Sequence, residues 1–122
     1  MRILITGGCG FIGSNLAIFL KGKIKNVKIT SIDNLSRKGS QLNHKRLSGK
    51  GIKNFKINIV DSNKLIKLPK FDLIIHCAAE PAIEVSRKKT EKVFKSNLVG
   101  TFNVLQKCAK DKSNIIYLSS SR

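Results

Sequence analysis

The fold is decided by the stretch Gly7-Gly8-Cys9-Gly10-Phe11-Ile12-Gly13, which directly follows the apolar run Arg2-Ile3-Leu4-Ile5-Thr6. A glycine-rich turn between a strand and a helix is typical of a phosphate-binding turn, because glycine allows a tight bend and close approach of a pyrophosphate. In this interpretation Gly7 makes the bend, Gly10 admits the ligand and Gly13 lets the helix pack closely on the first strand. Tight turns also use glycine for steric reasons alone, so the stretch needs a second signal.

That second signal is Asp33, which follows Gly13 by 20 positions and ends the second predicted strand. An acidic residue there accepts hydrogen bonds from both ribose hydroxyls of a bound dinucleotide and repels a 2′-phosphate, which favours NAD over NADP. Arg37 and Lys38 lie close enough to weaken this preference. The alternative interpretation is that Asp33 only stabilises its own loop through hydrogen bonds of the turn type.

Short β-branched runs alternate with longer amphipathic stretches, a pattern typical of a parallel sheet with crossover helices. The predicted strands are Arg2–Thr6, Val27–Ile32, Phe55–Ile59, Phe71–His76 and Asn114–Leu118. The predicted helices are Phe11–Lys21, Gln41–Leu47, Asn63–Leu68 and Thr90–Lys110. We therefore predict an α/β doubly wound parallel sheet, the Rossmann fold, with strand order 3-2-1-4-5. Its crevice should bring Asp33, Asp61 and Ala78 to the glycine-rich turn.

The composition predicts a single soluble domain in a reducing cytoplasm. The chain has 122 residues, of which 41% are hydrophobic, and no apolar run approaches the roughly 20 residues that span a bilayer. The three cysteines form no C-x-x-C pair. We therefore expect neither a disulfide framework nor a metal site.

The net charge of +17 raises the alternative of a basic nucleic-acid-binding domain. The charge comes mainly from lysines scattered along the chain, and only one tyrosine is available to stack on bases. We therefore expect no specific nucleic-acid partner. A positive field would instead raise the local concentration of a phosphate-bearing ligand.

Five stretches resemble, in sequence and in order, the extended short-chain dehydrogenase/reductase family of NAD-dependent epimerases and dehydratases. They are GGCGFIGSN, DNLSRKG, HCAAEPA, SNLVGTFNVL and IIYLSSSR. Within that family, DNLSRKG, AAEPA and SSSR are most similar to the CDP-paratose 2-epimerases, also called CDP-tyvelose epimerases, whereas UDP-glucose 4-epimerases and dTDP-glucose 4,6-dehydratases share the general pattern. The resemblance implies a cytoplasmic, homodimeric enzyme that acts on a nucleotide sugar by transient hydride transfer to NAD.

The resemblance also implies which residues bind the cofactor. They are Gly7, Gly10, Phe11, Ile12 and Gly13 at the pyrophosphate, Asp33, Asn34, Ser36 and Arg37 around the adenosine ribose, Asp61 and Ser62 at the adenine, Cys77, Ala78, Ala79, Glu80 and Pro81 on the nicotinamide side, and Ser96 on the long helix. Asn97 would tie that helix to a neighbouring strand. The alternative for Asp61 is a helix cap, and for Ser96 and Asn97 it is ordinary polarity of a helix surface.

Three residues with reactive side chains have a simpler interpretation. His76 ends a buried strand, where the resemblance gives it a structural place. Cys9 and Cys77 are interpreted as small packing residues, because neither has an activating base nearby in the sequence.

Catalysis in this family uses a serine or threonine after the fifth strand, and a tyrosine with a lysine four residues later that lowers the pKa of the phenol. Ser120 and Ser121 are the candidates for the serine. The sequence has one tyrosine, Tyr117, and Ser121 stands four positions after it. We therefore interpret residues 1–122 as an incomplete NAD-binding domain without its catalytic tyrosine, lysine and substrate domain. The alternative is a non-catalytic NAD-binding module.

An incomplete domain would leave part of the sheet uncovered. We expect apolar side chains of the fourth and fifth strands, such as Ile75 or Ile116, to be more exposed than core residues normally are.

Overall fold

A computed structural model describes residues 1–80 and 89–119, so that Pro81, Ser120 and Ser121 lie outside the described residues. In this part of the chain the strands are β1 (Arg2–Thr6), β2 (Lys28–Asp33), β3 (Lys53–Lys56), β4 (Leu73–His76) and β5 (Asn114–Tyr117). The helices are α1 (Phe11–Lys23), α2 (Ser40–Gly49), α3 (Ser62–Ile66), α4 (Thr90–Phe94) and α5 (Gly100–Asp111), and a π-helical segment, Lys95–Val99, joins α4 to α5.

The strands form one parallel sheet in the order β3-β2-β1-β4-β5. This confirms the predicted doubly wound α/β fold. The strand order reverses between β1 and β4, and Thr6 at the end of β1 stands opposite both Ile32 and His76. The loops after β1, β2 and β4 therefore leave the same edge of the sheet side by side, which is where ligands bind in open α/β sheets.

Two hydrophobic clusters cover the two faces of the sheet. Alternate residues of β1 enter different clusters, because successive side chains of a strand point to opposite faces. Ile3 and Ile5 pack on the side of α1 and α2, whereas Leu4 packs with Val104 of α5. Burial on both faces explains why β1 reads as a nearly continuous apolar run.

Most predicted elements match the observed bounds to within two residues at each end, and two differ by more. The third strand ends at Lys56 and not at Ile59. The N–H of Ile57 donates to the carbonyl of Asp33, which is the last residue of β2, so β2 offers no further residue for the third strand to pair with. The predicted helix Thr90–Lys110 is interrupted by the π-helical segment. No helix within residues 1–80 and 89–119 is long and apolar enough to cross a membrane.

The expectation of exposed strand side chains is confirmed for one residue and wrong for the other. The side chain of Ile116 is 49% exposed, whereas that of Ile75 is only 3% exposed. Ile75 belongs to the cluster on the side of α1 and α2, where Cys77 also packs against it. The exposure of the two side chains therefore differs because the cluster on the side of α1 and α2 covers Ile75 of β4 and does not include Ile116 of β5.

Candidate functional site

The glycine-rich turn leaves the amino end of α1 open. Gly7 adopts a positive φ of 67°, and the N–H groups of Gly7 and Gly8 donate to the carbonyl of Ile32 at 2.9 and 3.2 Å. Gly10 is the N-cap residue, and no side chain caps the helix. The first N–H groups of a helix have no partners within it, so this end carries a partial positive charge that stabilises an anion.

A side chain at Gly7 or Gly13 would meet backbone atoms. A Cβ atom on Gly7 would lie 2.8 Å from the backbone nitrogen of Ala78, and one on Gly13 would overlap the carbonyl oxygen of Gly7. The loop after β4 therefore reaches the turn only because residue 7 lacks a side chain. In the same way, α1 starts against the turn only because residue 13 lacks one.

Asp33 faces the turn from the end of β2. Its Oδ2 atom accepts the N–H of Cys9 at 3.0 Å, and its Oδ1 atom accepts the N–H of Leu35 at 2.8 Å. The carboxylate thus holds its own loop and the glycine-rich turn in place. Because each carboxylate oxygen has two lone pairs, both retain capacity for a hydroxyl of a ligand.

An open cleft of about 1590 Å³ lies at this edge of the sheet. Most of the predicted cofactor-binding residues line it, namely Gly7, Gly10, Phe11, Ile12, Gly13, Asp33, Asn34, Ser36, Arg37, Cys77, Ala78, Ala79, Glu80 and Ser96. Its volume exceeds the roughly 300–1,000 Å³ of ordinary small-molecule pockets, so an extended ligand fits.

Asp61 and Ser62 are not among the described residues that line the cleft. Asp61 caps α3: its Oδ1 atom accepts the backbone N–H of Lys64 at 3.2 Å, and its Oδ2 atom lies 3.9 Å from Nζ of Lys64. The capping contact that was named as the alternative is therefore observed. Asn58 and Val60 line the cleft near this position, and contact of Asp61 with an adenine stays a prediction.

His76 is buried and has two hydroxyl partners. Burial lowers its pKa to about 4, so the ring is neutral near pH 7. Nδ1 lies 2.6 Å from Oγ1 of Thr6 and Nε2 lies 3.0 Å from Oγ1 of Thr101. Oγ1 of Thr6 also accepts the N–H groups of Cys77 and Ala78, so we infer that the hydroxyl of Thr6 donates its own proton to Nδ1 of His76. The proton of the imidazole ring then lies on Nε2, which donates to Oγ1 of Thr101. These contacts agree with a structural role.

The π-helical segment presents Asn97 to the loop after β4. Oδ1 of Asn97 accepts the N–H of Glu80 at 2.7 Å, and Nδ2 donates to the carbonyl of Glu80 at 3.2 Å. Thr101 donates to the carbonyl of Asn97 at 2.7 Å, which links this contact to His76. Asn97 thus ties the helix to the loop after a neighbouring strand. Such π segments are frequent at functional sites.

Sequence reasoning missed Asn103, whose amide supports the wall of the cleft. Its Nδ2 atom donates to the carbonyls of Ile59 and Val60 at 2.9 and 3.1 Å. The sequence carried a signal for this role, because polar residues recur every four positions along the buried face of α5, at Asn103, Lys107 and Asp111. A polar residue at a helix position that faces the core usually has a buried partner.

The thiols of the cleft are protonated. Burial, together with the negative charge of Asp33, raises the pKa of Cys9 to about 12, and burial raises the pKa of Cys77 to about 11. Because the thiolate is the nucleophilic form, both residues act as small packing groups.

Comparisons with known proteins agree with this geometry. The model of the NAD dependent epimerase/dehydratase family matches residues 3–122. The chain is 40% identical to a dTDP-D-glucose 4,6-dehydratase of Dictyostelium discoideum, over 98% of this chain and 29% of that protein. It is 38% identical to a CDP-paratose 2-epimerase of Salmonella typhi, over 100% of this chain and 37% of that protein.

A solved structure also matches the chain. The UDP-glucose 4-epimerase of Bifidobacterium longum, in complex with NAD+ and UDP, superposes with a TM-score of 0.83 at 27% identity, over 99% of this chain and 37% of that one. The chain thus spans well under half the length of these relatives. Fold, cleft and matching residues together lead to one conclusion: the chain belongs to the NAD-dependent epimerase/dehydratase family.

Proposed function

We propose that this chain binds NAD as the cofactor part of an enzyme that modifies nucleotide sugars. The observation that carries the proposal is the uncapped amino end of α1 facing the cleft, with Asp33 hydrogen-bonded to the same turn. One group suits a pyrophosphate and the other suits a ribose. The close packing at Gly7 and Gly13 supports the same function, because it brings the loop after β4 and the start of α1 against the glycine-rich turn.

The described residues fit the cofactor along the cleft. The backbone N–H groups of Phe11 and Ile12 would hold the pyrophosphate, and Asp33 would accept the ribose hydroxyls. The small side chains of Cys77 and Ala78 would leave room for the nicotinamide. Bound NAD would supply a reversible acceptor for hydride from a sugar carbon.

The reaction that we propose is 2-epimerisation of CDP-paratose. DNLSRKG, AAEPA and SSSR support this choice within the family. By their names, these relatives act on sugars linked to dTDP, CDP or UDP, so a nucleoside diphosphate sugar is the supported substrate class. Ser120 or Ser121 would hydrogen-bond the reacting oxygen, and we propose that the full-length protein supplies the tyrosine, the lysine and the substrate domain.

Titration with NAD and NADP tests cofactor binding. Asp33→Ala is expected to weaken NAD binding by roughly tenfold or more, because two hydrogen bonds to a charged acceptor are lost. Asp72→Ala is the matched control, since Asp72 accepts the N–H of Arg2 at the opposite end of the sheet. Equal affinity of the wild type and Asp33→Ala for NAD would contradict the assignment of the ribose-binding acid.

Incubation of the full-length protein with CDP-paratose, dTDP-glucose and UDP-glucose tests the reaction. The proposal expects epimerisation of CDP-paratose and little turnover of the other two substrates. Formation of a keto sugar from dTDP-glucose would assign a dehydratase. NAD binding with no turnover of any substrate would favour the non-catalytic module.

We also propose that the full-length protein is a homodimer. Four large apolar side chains, Phe94, Leu98, Phe102 and Leu105, are each 47–58% exposed and recur along α4, the π segment and α5. They are not among the described residues that line the cleft. Exposed apolar patches mark association surfaces.

Sedimentation of the full-length protein should therefore give the mass of a dimer. The double variant with Leu98→Glu and Phe102→Glu should give the mass of a monomer. A dimer that persists in the double variant would exclude this surface.

A further inference from the structure

Glu80 joins the two sides of the cleft by two ion pairs. Its Oε1 atom lies 3.2 Å from Nη1 of Arg37, and its Oε2 atom lies 3.7 Å from Nζ of Lys92. Arg37 belongs to the loop after β2 and Lys92 to α4, whereas Glu80 belongs to the loop after β4. The carboxylate therefore connects the adenosine side of the cleft to the opposite wall.

The position of this carboxylate is tightly held. The side chain of Glu80 is only 9% exposed, and Asn97 bonds both its backbone N–H and its carbonyl. The side chain of Arg37 is 54% exposed. Glu80 is therefore held in place by its other contacts, whereas the position of the Arg37 guanidinium depends on its ion pair with Glu80.

Arg37 is the residue that could accept NADP. It follows Asp33 by four positions, and among the described residues it is the only arginine that lines the cleft. A guanidinium beside the adenosine ribose accommodates a 2′-phosphate, which it binds through paired N–H groups. Lys38 also lines the cleft, but an ammonium offers no such paired geometry.

We propose that Glu80 is a specificity-determining residue that withholds Arg37 from the 2′-phosphate of NADP. Asp33 repels that phosphate directly, and Glu80 acts through Arg37 by neutralising its charge and engaging its N–H group. NAD carries no phosphate at this place, so the pair affects the affinity for NADP more than the affinity for NAD. This inference rests on the proposed NAD-binding function.

Calorimetric titration of the full-length protein with NAD and NADP tests the role of Glu80. Glu80→Gln keeps the shape of the side chain and removes its charge. It should raise the ratio of NADP affinity to NAD affinity by up to about fivefold, the range of a partly exposed ion pair. Adding Arg37→Gln to Glu80→Gln should abolish the gain in this ratio, whereas Arg37→Gln alone should change the ratio little.

Glu91→Gln is the matched control. It removes the same charge from the rim of the same cleft, but Glu91 is 81% exposed at its side chain and pairs with Lys95 at 2.9 Å. The NADP to NAD affinity ratio should stay unchanged in this variant. A thermal melt of each variant separates loss of folding from loss of binding.

Three results would overturn the role of Glu80: an equal change for both cofactors in Glu80→Gln, the same ratio shift in Glu91→Gln, or a gain that persists without Arg37. A wild type that fails to bind NAD would instead refute the proposed function. The two failures are therefore distinguishable in one set of titrations.

Discussion

Lys107→Ala is expected to lower the free energy of unfolding by about 3–5 kcal/mol, because it leaves a buried carboxylate without its cation. The side chain of Lys107 is only 1% exposed. Its ammonium donates to the carbonyls of Leu68 and Pro69, both at 2.9 Å, and to Oδ1 of Asp111 at 2.8 Å. These three contacts hold the end of α5 against the segment that leads into β4.

Urea denaturation followed by circular dichroism measures this loss. Lys110→Ala is the matched control, because Lys110 lies on the same helix and its ammonium donates to the carbonyl of Ile66 at 3.1 Å in an exposed position. The control should lose less than about 1 kcal/mol. Similar losses in the two variants would show that burial of the Lys107 cation contributes little to stability.

Gly13→Ala is expected to lower the free energy of unfolding by about 1–3 kcal/mol, because the new methyl group meets rigid backbone atoms. Its Cβ atom would overlap the carbonyl oxygen of Gly7 and lie 2.9 Å from Cα of Gly8. The amino end of α1 must then shift away from the turn. We therefore expect weaker NAD binding in the same variant.

Gly22→Ala on the same helix is the control, and its expected change in the free energy of unfolding has the opposite sign. A Cβ atom there meets nothing within 4 Å. Alanine is the better helix former, so this variant should gain about 0.5–1 kcal/mol. Thermal denaturation and NAD titration of both variants make the comparison. A neutral Gly13→Ala with unchanged NAD affinity would contradict the close packing of α1 on the turn.

The fold and the centre of the site were predictable from sequence because their signals are local. The strands alternate with amphipathic stretches, and the spacing from Gly13 to Asp33 is that of one β-α-β unit. Right-handed crossovers leave few ways to arrange such units, so the strand order β3-β2-β1-β4-β5 followed. The local pattern of strands and helices was therefore enough to predict that a cleft lies beside the glycine-rich turn.

The polar contacts of the cleft were less predictable, because several side chains had two plausible roles. Asp61 could contact a ligand or cap α3, and its carboxylate caps α3 because the N–H of Lys64 lies only three residues further along the chain. The π-helical segment had no signal in sequence periodicity. Asn97 within it bonds the backbone of Glu80, which lies 17 positions away along the chain.

The sequence by itself determined the parallel sheet, the open amino end of α1 and the placement of Asp33 beside it, since spacing and glycine positions specify them. Only the tertiary structure decided that Glu80 pairs with Arg37, 43 positions away, and that Thr6 and His76 meet across 70 positions. Periodicity describes which face a residue occupies, but not which polar group stands opposite it. That choice depends on how closely neighbouring elements approach: the register of β1 on β4 pairs Thr6 with His76, and the missing side chain at Gly7 lets the loop after β4 reach the turn.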